Sequence, residues 1–423
     1  MRYSKSRQNH LLGLALSLVL PLGVFAPKGL APLFIITFFI IATYLPRFGV
    51  ITDWVRLGGT SELFFAIATI FLIGVASSAW SVTPQQSFWA AITVGAMLFM
   101  GVAVSRIGSF ISAEDRKIIE KYIFFGALCG FVLLGTEYLT NSFLTRHILL
   151  FSGKDVLPQT DLSHRLNAAS SVGAILIWPW FLFLFRNFSF APAVVIAGAS
   201  VSIFAFSHAS APAVSVLIGC VVFSVSYLFY RQISVVFGLL AVTAIFFMPL
   251  GPKLIASPTE LGSSAHFLPH SSVHRLFIWQ TTIKHIEDRP ILGHGFDTAR
   301  SFYDKKNLEV IEFFPGQPRK SFKNFFEPIP LHPHNGVLQI WLEMGVLGAL
   351  ALVVILLAII RVIYINCQNA AEVAMAYSTL SSALVLVSVS FGIWQNWWLA
   401  ALMLIGLSSV FSNLTSRKNS LKR

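Results

Sequence analysis

A chain of 423 residues that is 56% hydrophobic and only 11% charged, with a mean hydropathy of +0.74, lies far from the balance of a soluble globular domain. Such a composition excludes a soluble enzyme and marks an integral membrane protein. A formal charge of +12 would suit a nucleic-acid partner, but the distribution of the basic residues gives it another meaning.

Twelve apolar stretches approach or reach the roughly 17 to 25 residues that cross a bilayer as a helix. They lie near 11–26, 30–45, 62–80, 87–104, 119–140, 168–186, 190–206, 210–230, 233–250, 336–360, 373–391 and 395–411. The expected fold is therefore all-α and polytopic, with about 12 transmembrane helices. Arg2, Lys5 and Arg7 precede "LLGLALSLVL" as in a signal peptide, but Pro27 follows "VFA" where cleavage would fall, so the first stretch is expected to stay as an uncleaved helix. With the N-terminus inside, sixteen Lys/Arg fall on cytoplasmic segments and only Lys28, Arg146, Lys154 and Arg165 on short outer loops. That bias is the positive-inside rule, so the basic excess sets orientation and no nucleic-acid partner is expected. Cys129, Cys220 and Cys367 have neither redox nor metal-ligand spacing and are expected as packing residues.

Four segments follow. Residues 1–250 carry helices one to nine with an outer loop at 141–167; 251–335 form one large outer loop; 336–411 carry the last three helices; 412–423 are a basic cytoplasmic tail. Seven of the eleven histidines lie in the large loop, at 266, 270, 274, 285, 294, 332 and 334, so polar chemistry is concentrated on one face. Apolar residues at 273, 276, 277, 279, 283 and 286 predict an amphipathic helix over 272–288, capped by Ser271 or Ser272 and stopped by Pro290. "PILGHGF" then needs glycine's freedom to turn. The 141–167 loop enters the sixth helix through "SHRLNAASSVGAILIWPW", placing His164, Arg165 and Asn167 at a membrane entrance.

The densest polar grouping is "PLHPHNGVLQIWLEMGVLG" at 330–348. Pro330 and Pro333 hold the approach extended and Asn335 suits an N-cap. Asn335, Gln339 and Glu343 fall at i, i+4 and i+8, one stripe on a helix. Glu343 would sit roughly 12 Å below the helix start. A carboxylate at that depth needs a protein interior or a wet cavity, and a cavity open to the outer face is expected. His334 is the best general-base candidate, although a histidine beside a cap also suits a purely structural contact. His332 and His334 could ligate a metal from one side of an extended segment. No HExxH, CxxC or carboxylate cluster accompanies them, and no metal is expected. Arg275 and Trp279 stand one helical turn apart, a fixed cation beside an amphipathic ring. Such a pair suits a lipid phosphate or an interfacial anchor equally well. Arg165 shares both meanings, while Arg289, Arg319, Lys320 and Lys323 suit solvated loop charges.

These stretches resemble a known family. "HPHNGVLQIWLEMGVLG" is similar to the H-x-H-N-x-x-L-x-x-x-x-E-x-G-x-x-G pattern of the O-antigen ligase and polymerase superfamily. "HRLFIWQTTIKHIEDRPILGHGF" resembles its R-x-x-x-W and P-x-x-G-x-G loop, "RLNAASSVGAILIWP" its earlier arginine loop, and "FGIWQNWWLAALMLIGL" the last span of its ligase members. They fall in the family's order across an interval of about half the chain. One departure is "FSHASAPAV", where Ala211 stands in place of the arginine of many members and His208 is a candidate replacement. The resemblance implies a GT-C-type glycosyltransferase of the bacterial inner membrane, with its active site facing the periplasm. It would take a polysaccharide from undecaprenyl diphosphate without cofactor or metal. His334 would activate the acceptor hydroxyl; Arg275 and Arg165 would bind the diphosphate; Trp279, His332, Asn335, Gln339 and Glu343 complete the candidate substrate-binding set. A ligase would deliver the glycan to lipid A-core, a polymerase to another lipid-linked repeat. A twelve-helix transporter would instead need paired half-repeats and polar groups at mid-membrane depth.

Overall fold

Runs of Leu, Ile, Val and Phe, punctuated by glycine, proline and short polar breaks, fold as fifteen α-helices among the described residues of a computed structural model. These residues are 2–44, 60–157, 159–206, 210–255, 270–303, 309–313, 322–326 and 328–412. In chain order the helices are α1 (Arg2–Ser17), α2 (Val19–Phe25), α3 (Leu30–Ala42), α4 (Thr60–Ser77), α5 (Pro84–Phe110), α6 (Ala113–Leu139), α7 (Phe143–Phe151), α8 (Asn167–Asn187), α9 (Phe190–Ser202), α10 (Ser210–Leu228), α11 (Ile233–Phe247), α12 (His270–Asp288), α13 (Gly336–Asn366), α14 (Ala370–Val389) and α15 (Asn396–Ser412). Each of the twelve apolar stretches carries a helix. Seven helical segments are long and apolar enough to cross a membrane, and five are shorter apolar helices. The protein is a polytopic, helical membrane protein.

Apolar on every side, α8 occupies the centre, with its residues from Ala168 to Trp180 buried. Around it pack α6, α10, α14 and α15. Its indoles find partners: Trp178 Nε1 donates to Ser382 Oγ at 2.8 Å and Trp180 Nε1 to the Phe124 carbonyl at 3.2 Å. Between α10 and α14 the contact is close and polar. Ser215 Oγ donates to the Ser382 carbonyl and Ser382 Oγ to the Ser215 carbonyl, each at 3.1 Å, an exchange that small residues permit between apolar helices. At one end Arg186 pairs with the buried Glu372 at 2.9 Å. The opposite face of the bundle carries the large loop.

Several elements differ from expectation for identifiable reasons. The first stretch is two helices, because Pro21 lacks the N–H that would bond the Ser17 carbonyl. The amphipathic helix begins at His270, so Ser271 and Ser272 lie inside its first turn; it ends at Asp288, ahead of Pro290. The large loop is not built of short helices alone. Strands β1 (Glu309–Phe313) and β2 (Phe322–Phe326) pair antiparallel, with Glu309 opposite Phe326 and Phe313 opposite Phe322. Cys129 and Cys220 are exposed on the apolar surface rather than packed inside. The 413–423 tail, His208 and His266 lie outside the described residues.

Candidate active site

The site is assembled on the first turns of α13. Asn335 caps this helix: its Oδ1 accepts from the N–H groups of Val337 and Leu338 at 3.1 and 3.0 Å. One turn on, Gln339 Nε2 donates to Glu343 Oε1 at 3.0 Å, while its Oε1 accepts from Ile393 N at 3.0 Å. The predicted stripe therefore forms, but it meets protein. Glu343 is completely buried and has four donors: Gln339 Nε2, Ala299 N at 3.2 Å, Asp297 N at 2.8 Å and Trp394 Nε1 at 2.6 Å. Instead of facing an open cavity, its carboxylate clamps the loop after α12 and the connection between α14 and α15 onto α13.

Immediately below Glu343 the helix breaks. Gly345 adopts φ +58° and ψ −151°, outside helical space. The backbone groups released there bond the inserted segment 290–295. His294 N donates to the Leu342 carbonyl at 3.0 Å, Gly295 N to the Glu343 carbonyl at 2.8 Å, and Val346 N to the Pro290 carbonyl at 2.9 Å. A broken helix inside a membrane protein survives only when protein satisfies its freed backbone. The fit is too close for a side chain on either partner. A Cβ on Gly345 would stand 2.4 Å from the Ile291 carbonyl carbon, and one on Gly293 would stand 2.4 Å from the Glu343 carbonyl carbon. Glycine in P-x-x-G-x-G and glycine in E-x-G thus have one cause: the two backbones touch. On its other side the loop is sewn to the α4–α5 connection, where Ser77 Oγ accepts from Phe296 N at 2.9 Å and Ser87 Oγ donates to the Phe296 carbonyl at 2.6 Å.

Against this frame sits the His332–Pro333–His334 segment. Trp279 on α12 donates its indole N–H to the Pro333 carbonyl at 3.0 Å, so this ring holds the segment. The two imidazoles stand edge to face with centroids 4.3 Å apart. His334 takes a left-handed backbone, φ +52°, uncommon for a residue with a side chain and costing about 1–3 kcal/mol. Its Nδ1 lies 2.7 Å from the Ser390 carbonyl, which only accepts, so the neutral ring carries its proton on Nδ1 and keeps a lone pair on Nε2. Burial pushes His334 below the usual imidazole range; the Ser390 contact opposes this, and Arg275 and His274 add to it. His332 Nδ1 accepts from His334 N at 3.1 Å, and burial, with smaller contributions from His334 and Arg300, pushes that ring down to about 3. Both rings are neutral bases at pH 7.

Arg275 is half-buried, close enough for its charge to act on His334, and burial lowers its pKa. Among the described residues it has no hydrogen-bond or ion-pair partner. Arg165 stands elsewhere. It is exposed and lines a cavity of about 170 Å³ with Phe25, Thr145 and Leu149, residues of neither the large loop nor α13. Sequence reasoning also missed members of the assembly. Ser390, Ile393 and Trp394 supply the backbone and indole contacts to His334, Gln339 and Glu343, and Asp297 and Arg300 form an ion pair at 2.8 Å beside them. For these residues the one sequence signal is the D-x-x-R spacing, a local pairing at i and i+3.

A multi-pass helical membrane protein with a neutral histidine base and an arginine that has no partner among the described residues, both on one loop-bearing face, is the class defined by this fold and site. Residues 192–353, from α9 into α13, match the family model described as O-antigen ligase. It is 27% identical over 354 residues to a Rickettsia conorii protein named "Putative polysaccharide ligase", covering 82% of this chain and 78% of that one. A Rickettsia typhi protein of the same name is 27% identical over 363 residues, 85% and 82% of the two chains. One from Rickettsia felis is 25% identical over 325 residues, 77% and 74%. The matched family region contains Arg275, Trp279, His334 and Glu343, and leaves out Arg165 and Ser390.

Proposed function

We propose that the protein is a glycan ligase of the bacterial inner membrane, a GT-C-type glycosyltransferase with twelve transmembrane helices and its site on the periplasmic face. The donor is a polysaccharide on undecaprenyl diphosphate and the acceptor a sugar hydroxyl of lipid A-core. The observation that carries this is the state of His334: a neutral imidazole, its Nδ1 proton committed to Ser390, with Arg275 unpaired nearby.

In this reaction His334 Nε2 takes the proton of the acceptor hydroxyl as its oxygen attacks the anomeric carbon. The bond from that carbon to the diphosphate oxygen breaks, and the electron pair leaves with undecaprenyl diphosphate. Arg275 offers a planar set of donors to the charge that develops there. Attack opposite the leaving group inverts the anomeric centre. Asn335, Gln339 and Glu343 act as positioning residues, because their polar atoms are already bonded to protein. Residues 251–335 are the catalytic loop in this scheme, and the 141–167 loop brings Arg165 as a second contact for the lipid-linked donor.

The test uses purified protein, undecaprenyl-diphosphate glycan and EDTA, with lipid A-core or with no second acceptor, and resolves products by gel. Glycan on lipid A-core is the expected result. Longer lipid-linked chains in the absence of lipid A-core would replace ligase with polymerase, and no transfer under either condition would refute both. His334→Ala should abolish transfer with membrane abundance unchanged; normal attachment in that variant would sink the base assignment.

A further inference from the structure

Around His332 the charges are sorted by direction. Glu343 is sealed beneath four donors and the Asp297 side chain is only 11% exposed, whereas the Arg300 side chain is 53% exposed. Arg300 spends one N–H on its neighbour, Nη2 to Asp297 Oδ1 at 2.8 Å, and makes no other hydrogen bond among the described residues. A guanidinium has five such donors, so most remain available. Its aim is fixed from below. Asp297 holds a left-handed backbone, φ +56°, and its N–H is bonded to Glu343. Gln86 Nε2 donates to the Asp297 carbonyl at 2.8 Å. The turn Ala299–Phe302, which carries Arg300, packs with Trp279 and Leu338, the same surface that seats the His332–His334 segment.

The electrostatic reach agrees with this placement: the charge of Arg300 acts on His332 as that of Arg275 acts on His334. Two cations therefore flank two neutral imidazoles, with both carboxylates turned inward. Arg275 has no ion-pair partner among the described residues and Arg300 is matched by Asp297 alone; a net positive field of this kind recruits an anion, and planar donors favour phosphate.

We propose that Arg300 is a second phosphate-binding residue of this site, one that takes a phosphate of the lipid diphosphate donor beside Arg275, with Asp297 and Glu343 as its positioning residues. This rests on the transferase reading for the identity of the donor, but not for the existence of the anion site. Arg300 makes no bond in the reaction. It holds the leaving group before and after the carbon–oxygen bond breaks, so its loss acts mainly on donor affinity.

The experiment measures transfer kinetics and direct binding of undecaprenyl diphosphate, by quenching of tryptophan fluorescence, for wild type, Arg300→Ala and Arg300→Lys, with thermal unfolding of each as a folding control. Loss of a charged hydrogen bond predicts about a 10- to 100-fold rise in donor KM and in the dissociation constant for undecaprenyl diphosphate. Acceptor KM should stay within about threefold, and lysine should restore only part of the affinity. A fall in kcat and melting temperature with no change in donor KM or binding would make Arg300 a purely structural partner of Asp297 and overturn the proposal. A rise in acceptor KM alone would move the phosphate to the acceptor, also overturning it. If wild type transfers nothing yet binds undecaprenyl diphosphate in an Arg300-dependent way, the transferase reading fails and the anion site stands.

Discussion

Replacing Gly345 with alanine places one methyl group between two backbones. Its conformation, φ +58° with ψ −151°, belongs to a region that only glycine occupies readily, which costs another residue about 1–3 kcal/mol. The new Cβ would also stand 2.4 Å from the carbon and oxygen of Ile291, and relieving such overpacking costs about 1–3 kcal/mol more. The alternative is to expel segment 290–295. That forfeits three backbone hydrogen bonds at about 0.5–1.5 kcal/mol each and, worse, strips Glu343 of the Asp297 and Ala299 donors at about 1.5–3 kcal/mol each. The cheaper route governs, so Gly345→Ala should destabilise the fold by about 2–6 kcal/mol and suppress glycan transfer with it. Thermal unfolding of purified protein in detergent, followed by tryptophan fluorescence, reads the first effect and the gel assay the second. Gly406→Ala is the control: it lies within α15 with no atom within 4 Å of its added carbon, and should be neutral or stabilising by up to about 1 kcal/mol. Equal melting temperatures for the two variants would refute the contact between the broken helix and its inserted loop as a source of stability.

Three other variants or conditions address the chemistry. Arg275→Lys should lower transfer about tenfold or more, because a point charge lacks the planar fork; wild-type kinetics at limiting and saturating donor would count against a phosphate contact. Glu343→Gln exchanges a carboxylate oxygen for an amide that must face donors, a loss of about 1–3 kcal/mol measurable as a lower unfolding temperature. An unchanged melting curve would show that the four-donor clamp is dispensable. Acid should destabilise the protein through His332. Its folded pKa of about 3 lies below the roughly 6.5 of an unfolded histidine, so below pH 6.5 the unfolded chain binds the extra proton and stability falls with pH, by up to ~1.4 kcal/mol per unit until about pH 3. The depressed His334 adds in the same direction, and neither contributes any slope above about pH 7. Unfolding temperatures measured from pH 8 to 4 should therefore decline less in His332→Gln than in wild type, and identical slopes would remove His332 as the cause.

Local features of this site were readable from sequence and distant ones were not. Asn335 as a cap, the stripe through Gln339 and Glu343, and the helix ending before Pro290 depend on neighbours within one or two turns. The partner of Glu343 does not. Two of its four donors are backbone N–H groups in Asp297 and Ala299, and a main-chain donor leaves no mark on residue type. A carboxylate in an apolar helix therefore looked like the wall of a wet cavity when it is a clamp. Gly345 was hidden for a related reason: a glycine within an unbroken hydrophobic run also suits close helix packing, and nothing nearby announces a second backbone lying against it. Pro21, by contrast, advertised the break between α1 and α2, and a helix that long was expected only because hydropathy averages over the proline. Arg165 and Arg275 share a residue type and each lies in a motif-bearing loop, yet tertiary structure sets Arg165 in its own cavity, information that no local pattern contains.

The clasp at Gly345 also fixes where this protein can grow. Segment 290–299 is bonded to Leu342, Glu343 and Val346 of α13, and Asn335 caps the start of the same helix, so the residues on either side of the stretch that joins them are both anchored on its first three turns. Lengthening a tether whose ends are already fixed is cheap, about 0.6 kcal/mol for each doubling. Insertions there leave His334 and its carbonyl partner in place. By the same logic, a single residue added between Gly293 and Ala299, or between His334 and Gly345, would throw the clasp out of register. Chain length is negotiable in one interval and rigidly set in the two that flank it.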